Sequence, residues 1–280
     1  MKKIVQLLLI NFLVLSCSPV FYQPDSFIYS NPSQFGLTAT NHFVDVDADT
    51  RIHIREFFAV GRAPGKEDGI VVFLHGNAQN MTSHIVQVQW LAKSGYRLFM
   101  PDYRGFGLSK GKSDQQGVLE DSRLALKMAI AYKQQYPHLK LILWGQSLGG
   151  AIALPLAATS DNASIDLLIL DSTFDDYRYI AFDRLTSNPF TFLFSPLAYL
   201  TVSNEWAPKH FYPQLTSLPL WVIHSTGDQV IPYSFGETIY QRYLGPKEFL
   251  RFERYPHINI LIDESNQLML TEKLKKYFQK

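Results

Sequence analysis

Gly69-Ile70-Val71-Val72-Phe73-Leu74-His75 is an almost unbroken apolar run. A strand with one wet face alternates apolar and polar residues. A run without alternation belongs to a strand covered on both faces, as in a parallel sheet flanked by helices. Similar short runs recur at 96–101, 139–144, 165–170 and 218–224, with a final strand pattern at 249–255. Between them lie stretches with helical periodicity at 82–93, 119–135, 147–158 and 235–243, and a closing one at 264–278. Ahead of the first run, 42–47 and 52–60 alternate apolar and polar residues, which predicts two antiparallel edge strands. Strands alternating with helices predict an α/β fold with a mostly parallel, eight-stranded sheet. The 280 residues, 46% of them hydrophobic, suffice for one large core.

The start of the chain follows other rules. Met1-Lys2-Lys3 precedes an apolar stretch over 4–15, interrupted only by Gln6 and Asn11, and then Ser16-Cys17. Two positive charges before ~12 apolar residues have the shape of a signal peptide and fall short of the ~20 residues of a membrane span. Val14-Leu15-Ser16-Cys17 resembles the lipobox of bacterial lipoproteins. That resemblance implies a signal peptide over 1–16 and lipidation of Cys17, which would tie the protein to the membrane of the cell envelope. Ser18 in place of an aspartate then points to the outer membrane of a Gram-negative cell. The alternative is an ordinary secretory leader with an incidental cysteine. Residues 17–39 are rich in Pro, Ser, Asn and aromatics without a clear period and read as a tether, leaving 40–280 as the folded domain.

Charge and cysteine content narrow the function. There are 26 basic and 25 acidic residues, and loss of Lys2 and Lys3 with a leader would leave 24 against 25. No broad positive field is available for nucleic acid. A single cysteine excludes an internal disulfide and a Cys-based zinc site.

The alternation breaks over 174–212, which carries eleven aromatics in 39 residues and three prolines. A structureless loop of that length is improbable in a compact domain, so this segment reads as an inserted cap. Its aromatics admit three uses: an apolar acyl pocket, packing against the sheet, or a face resting on a membrane.

Gly145-Gln146-Ser147-Leu148-Gly149 has the G-x-S-x-G pattern, fed by a buried strand and followed by a helix. That context is the sharp strand-to-helix turn that exposes a nucleophilic serine, with glycines permitting close backbone approach. A serine hydroxyl needs a base, and the base needs an orienting acid. On this strand–turn–helix plan the chain order is serine, acid, histidine. His257, the sole histidine after the 218–224 strand, follows the last strand and is the candidate base; His224 and His210 lie too early. Asp228, just past the 218–224 strand, is the candidate acid, with Asp171 at the end of the preceding strand as its rival. The backbone N–H groups of Leu148 and Asn77 are the candidate oxyanion donors, Asn77 because His75-Gly76-Asn77-Ala78 follows the first buried strand. His75, at the end of that strand, reads as a structural residue.

Taken together, these motifs and Asp102-Tyr103-Arg104-Gly105-Phe106-Gly107-Leu108-Ser109 resemble the α/β-hydrolase superfamily over about residues 50–280. The resemblance is greatest to the small-cap branch that includes depalmitoylating thioesterases and monoacylglycerol lipases, grouped under a serine-aminopeptidase domain. Two departures are Pro256 before the base and Ser225 after His224, where the family has glycine. Asp102 and Arg104 are expected to pack the loop beside the elbow. The resemblance implies hydrolysis of a small-molecule or lipid acyl ester or thioester by Ser147, His257 and Asp228, with neither cofactor nor metal. A peptidase remains open, with Asp175, Asp176, Asp183 and Glu205 in the cap as candidates to hold an α-amino group. So does a non-catalytic, ligand-binding envelope protein.

Overall fold

The computed structural model describes residues 21–187 and 189–279. The expected signal peptide, its lipobox and Cys17 lie outside these residues. Eight strands form one sheet: β1 (Ala39–Asp45), β2 (Arg51–Phe57), β3 (Gly69–Leu74), β4 (Tyr96–Asp102), β5 (Leu141–Gln146), β6 (Leu167–Asp171), β7 (Leu220–Ser225) and β8 (Lys247–Phe252). Their order is β1-β2-β4-β3-β5-β6-β7-β8. β2 runs antiparallel to both β1 and β4, and every other pair is parallel. The alternating strands therefore sit at one side of the sheet, although only β1 is an edge.

Helices cover both faces. α1 (Met81–Lys93) and the closing α7 (Glu264–Phe278) lie on one, where Ile85, Val88, Leu91, Leu270 and Leu274 meet Val71, Phe73 and Trp144. α2 (Gln115–Gln135), α3 (Leu148–Ala158) and α6 (Tyr233–Arg242) cover the other, with Val118, Leu126, Leu154 and Ile239 packed over Val72, Leu143 and Val222. Both faces of β3, β5 and β6 are fully buried, which is why these strands lack polar alternation. α2 starts four residues before the predicted helix because Asp114 caps it, accepting the Gly117 N–H at 2.7 Å.

The chain leaves β3 towards β4 on one side and later returns to place β5 on the other. Such a reversal opens a crevice beyond the carboxyl ends of the two strands, where ligand sites gather in this architecture. The excursion between β6 and β7 carries α4 (Tyr177–Thr186) and α5 (Leu197–Thr201) with several 3₁₀ turns.

Residues 22–38 differ from the expected tether. Tyr22 and Leu37 are buried, Pro32–Phe35 forms a 3₁₀ turn, and the segment between them lies along the loop after β3. It has no period because its backbone is satisfied by scattered partners, mostly side chains of the loop after β3 and the start of α1, and not by a continuous ladder.

Candidate active site

Ser147 joins β5 to α3 with φ 54° and ψ −121°, a conformation that costs a non-glycine residue free energy and must be imposed by its surroundings. Its N–H donates to Asp171 O at 2.8 Å, while its own carbonyl accepts from the Gly150 N–H and the Thr173 hydroxyl. Glycine at 149 is obligatory, since a Cβ there would lie 1.9 Å from Leu74 O. The turn is thus wedged against the end of β3. At Gly76 a Cβ would meet the Ser147 Cβ at 3.3 Å, so the loop after β3 passes directly beside the serine.

His257 Nε2 is 2.9 Å from Ser147 Oγ, and His257 Nδ1 is 2.7 Å from Asp228 Oδ2. With Nδ1–H donating to the carboxylate, Nε2 is left to accept the serine proton; this tautomer follows from the partners. The two loops that carry the acid and the base touch, for a Cβ on Gly227 would lie 2.5 Å from the Arg254 carbonyl carbon. Asp228 Oδ1 accepts the N–H groups of Val230 (2.9 Å) and Ile231 (2.8 Å), which fixes the carboxylate plane and turns Oδ2 towards the imidazole. Burial works to raise the Asp228 carboxyl, but hydrogen bonds from His224 and His257 outweigh it and hold the group well below the usual carboxylate range. His224 is a second, fully buried neighbour, 3.5 Å from Oδ2 and bonded to Ile231 O at 2.9 Å. It supports the carboxylate from below and has no contact with Ser147 among the described residues.

Asp171, the rival acid, points elsewhere. Its carboxylate accepts from Gln146 Nε2 and Ser172 Oγ, each at 2.8 Å, and burial raises it. The N–H groups of Asn77 and Leu148 donate to no protein acceptor among the described residues and flank the serine from the β3 loop and the start of α3. That leaves two backbone donors free beside Ser147.

A second histidine–carboxylate group, which sequence reasoning found only in part, lies beneath this loop. His53 on β2, Asp102 at the end of β4 and His75 after β3 meet because the sheet order is β2-β4-β3. Asp102 Oδ1 accepts the Met81 N–H at 2.7 Å and lies 3.4 Å from His75 Nε2, while Oδ2 is 3.6 Å from His53 Nδ1. Burial opposes the Asp102 charge, yet His53, His75 and the Met81 N–H bring its carboxyl down to about 2. All three side chains are fully buried, so the group braces the loop from inside. Arg104 pairs with buried Asp121 at 2.8 Å.

The segment between β6 and β7 divides its apolar residues. Phe174, Tyr177 and Tyr212 are buried, whereas Phe192, Leu193, Phe194 and Leu200 are exposed. Of its carboxylates, Asp175 pairs with Arg242 and the Tyr212 hydroxyl, Asp176 with Lys209, and Asp183 with Arg184. Among the described residues, no group of three or more His, Cys, Asp or Glu is arranged to hold a metal ion, and no helix is long and apolar enough to cross a membrane.

The model of the family described as serine aminopeptidase, S33, matches residues 65–198. The uncharacterized protein YfhR of Salmonella typhi is 30% identical over 275 residues, covering 92% of this chain and 89% of its own length. The chain belongs to the α/β-hydrolase superfamily. This α/β hydrolase is also 29% identical over 184 residues to the lysophosphatidylserine lipase ABHD12 of Danio rerio, covering 61% of this chain and 46% of that protein. In fold it is similar to the Pyrococcus furiosus esterase Pf2001, with a TM-score of 0.66 at 18% identity over 91% of this chain and 97% of the other.

Proposed function

We propose that the protein is a serine hydrolase acting on an acyl ester or thioester. The observation that carries this is the chain Ser147 Oγ–His257 Nε2–His257 Nδ1–Asp228 Oδ2, with links of 2.9 and 2.7 Å, built on the strained elbow. Ser147 Oγ attacks the acyl carbonyl carbon while His257 Nε2 takes its proton, and Asp228 steadies the resulting imidazolium. The oxyanion accepts from the Leu148 and Asn77 N–H groups, whose placement at a helix start and a fixed loop needs no reorganisation during reaction. Collapse expels the alcohol or thiol, which takes the proton from His257. Water then attacks the acyl-enzyme with His257 as base, and the carboxylic acid leaves.

An ester is favoured over an aminoacyl amide because Asp175, Asp176 and Asp183 are already held by cations, leaving few carboxylates for a substrate amine. A lipid acyl ester suits the exposed apolar residues near Leu193 and Leu200, and the ABHD12 relative is named as a lipase of a lysophospholipid. The lipid anchor at Cys17, holding the enzyme in a bacterial envelope, belongs to the same proposal; a Cys17→Ser chain should leave the membrane fraction.

The decisive experiment exposes the wild-type chain and Ser147→Ala to a fluorophosphonate probe at neutral pH. Labelling of wild type alone is the expected result. Equal labelling of both chains removes Ser147 as nucleophile, and a folded wild type that does not label removes the hydrolase reading.

A further inference from the structure

The loop that would carry the oxyanion donor is not self-supporting. Ala78 and Gln79 are consecutive non-glycine residues with φ of 63° and 56°. A left-handed pair without glycine persists only where other groups over-determine it. Asp102 supplies the inner hold through the Met81 N–H. The outer hold comes from a segment more than fifty residues earlier in the chain.

We propose that residues 22–30 act as a strap that sets the position of the oxyanion loop, with Asn80 as its positioning residue. This rests on the reading of Ser147 given above. The Gln23 N–H donates to Asn77 Oδ1 at 2.9 Å, and Pro24 forms a parallel bridge with Gln79. Asn80 is fully buried and works in both directions. Its Nδ2 donates to Asp25 O (2.9 Å) and Phe27 O (2.8 Å), and its Oδ1 accepts the Thr82 N–H (3.0 Å), capping α1. Thr82 Oγ1 in turn accepts the Tyr29 N–H at 3.0 Å. The Asp25 carbonyl also accepts the Gly107 N–H at 2.9 Å, tying the strap to the loop after β4. Every residue from 77 to 82 except Ala78 and Met81 thus touches the strap by a hydrogen bond, a bridge or a direct side-chain link.

The strap also bounds a cavity beside the site, one that Ser147, Asp228 and His257 do not line. Tyr29 and Ser30 face Gln79, His84 and Ile258, the residue after the candidate base, across this cavity of about 350 Å³. A donor displaced by a fraction of an ångström loses its value in the transition state while substrate still binds, because the ground-state carbonyl scarcely uses it. Loosening the strap should therefore lower kcat and spare KM.

Asn80→Asp is the sharpest test. It keeps an oxygen to cap α1 and replaces the two donors by a carboxylate oxygen facing two carbonyls. Asn77→Ala is the second variant, removing the acceptor for Gln23 while keeping the Asn77 N–H. Ser26→Ala, on an exposed strap residue outside these contacts, is the control. The full-length chain in detergent is assayed on a short p-nitrophenyl ester, with active serines counted by exhaustive fluorophosphonate labelling. The expected result is a fall in kcat per labelled serine of about 10–100-fold for Asn80→Asp and about 3–10-fold for Asn77→Ala, with KM within threefold and Ser26→Ala within twofold. A structural role alone would reduce the number of labelled serines at unchanged kcat per serine, and that result overturns the proposal. So does kcat within twofold of wild type in both variants. Should Asn80→Asp fail to fold, Asn77→Ala decides by the same criteria. Absence of Ser147-dependent turnover in the wild type would instead remove the reading of the site, and the strap with it.

Discussion

The elbow at 145–150 and the excursion between β6 and β7 place apolar residues under opposite constraints. At the elbow, Gly145, Gly149 and Gly150 are packed so closely that an added Cβ would meet backbone or Thr173 side-chain atoms at 1.9–2.5 Å. Leu148, Ile152 and Leu154 continue directly into the core. In the excursion, Phe174 and Tyr177 pack as an edge-to-face pair at 5.1 Å, but Leu193 is 82% exposed and Leu200 79%. One region is over-determined by contacts within the chain. The other keeps a base packed in the core and an apolar tip that stays exposed. Positioning of Ser147 therefore resides in the first, while the second leaves apolar surface exposed at its tip.

The largest effects should follow from changes at the elbow and its partners. On the proposed reading of the site, His257→Ala and Asp228→Asn are each expected to lower kcat by roughly 10³–10⁴-fold with the fold intact, as in Ser-His-Asp hydrolases. Steady-state kinetics beside circular dichroism would check this, and a loss under tenfold from Asp228→Asn would show that another group orients His257. Gly149→Ala should be worse for stability than for any single chemical step. Its Cβ collides with the Leu74 carbonyl, so a cost of 3 kcal/mol or more is expected, against under ~0.5 kcal/mol for a surface change in the excursion. Urea denaturation measures both.

Much of this first region is legible in the amino-acid order, because it depends on neighbours in sequence. A strand, a glycine-flanked serine and a helix specify the elbow locally, and His257 stands out as the sole histidine late in the chain. Position in the sequence favours Asp228 without excluding Asp171, since one follows a buried strand and the other ends one. The choice depends on which carboxylate is turned by its own loop, and the N–H groups of Val230 and Ile231 do that for Asp228. His53 was invisible because its partners come from β4 and the end of β3, joined only by strand order. Residues 22–30 carry no local signal for the same reason: their partners lie more than fifty residues later, on the loops after β3 and β4 and at the start of α1. Aromatic content over 174–212 marked an unusual segment but carries no information on which rings turn inward.

A moderate, pH-dependent effect separates the two regions further. Burial, aided by His75, pushes the His84 imidazole beside the loop after β3 down to about 3. In the unfolded chain it would bind a proton near pH ~6.5, so the unfolded state takes up more protons between ~6.5 and about 3. A depressed histidine thus gives stability that is complete above ~6.5 and is lost as pH falls. From pH 7.5 to 5.5 this single group should cost about 1.4 kcal/mol. His84→Gln should flatten that slope, measured by urea unfolding at both pH values, whereas equal slopes would mean that His84 protonates without penalty. No such slope is expected from changes at Leu193 or Leu200.

The smallest effects on the folded enzyme should come from the tip itself. Leu193→Ser with Leu200→Ser removes two apolar side chains that lose little water contact on folding, so stability should change by less than ~0.5 kcal/mol each. Turnover of a dissolved short-chain ester should stay within twofold, because neither residue touches Ser147, His257 or Asp228 among the described residues. If the tip serves lipid esters, the same variant should lose several-fold activity on a long-chain ester presented in phosphatidylcholine–phosphatidylglycerol vesicles, since desolvating exposed apolar area is what drives insertion. Loss of activity on the dissolved ester as well would place the tip in the packing of the active site, and the contrast between the two regions would close.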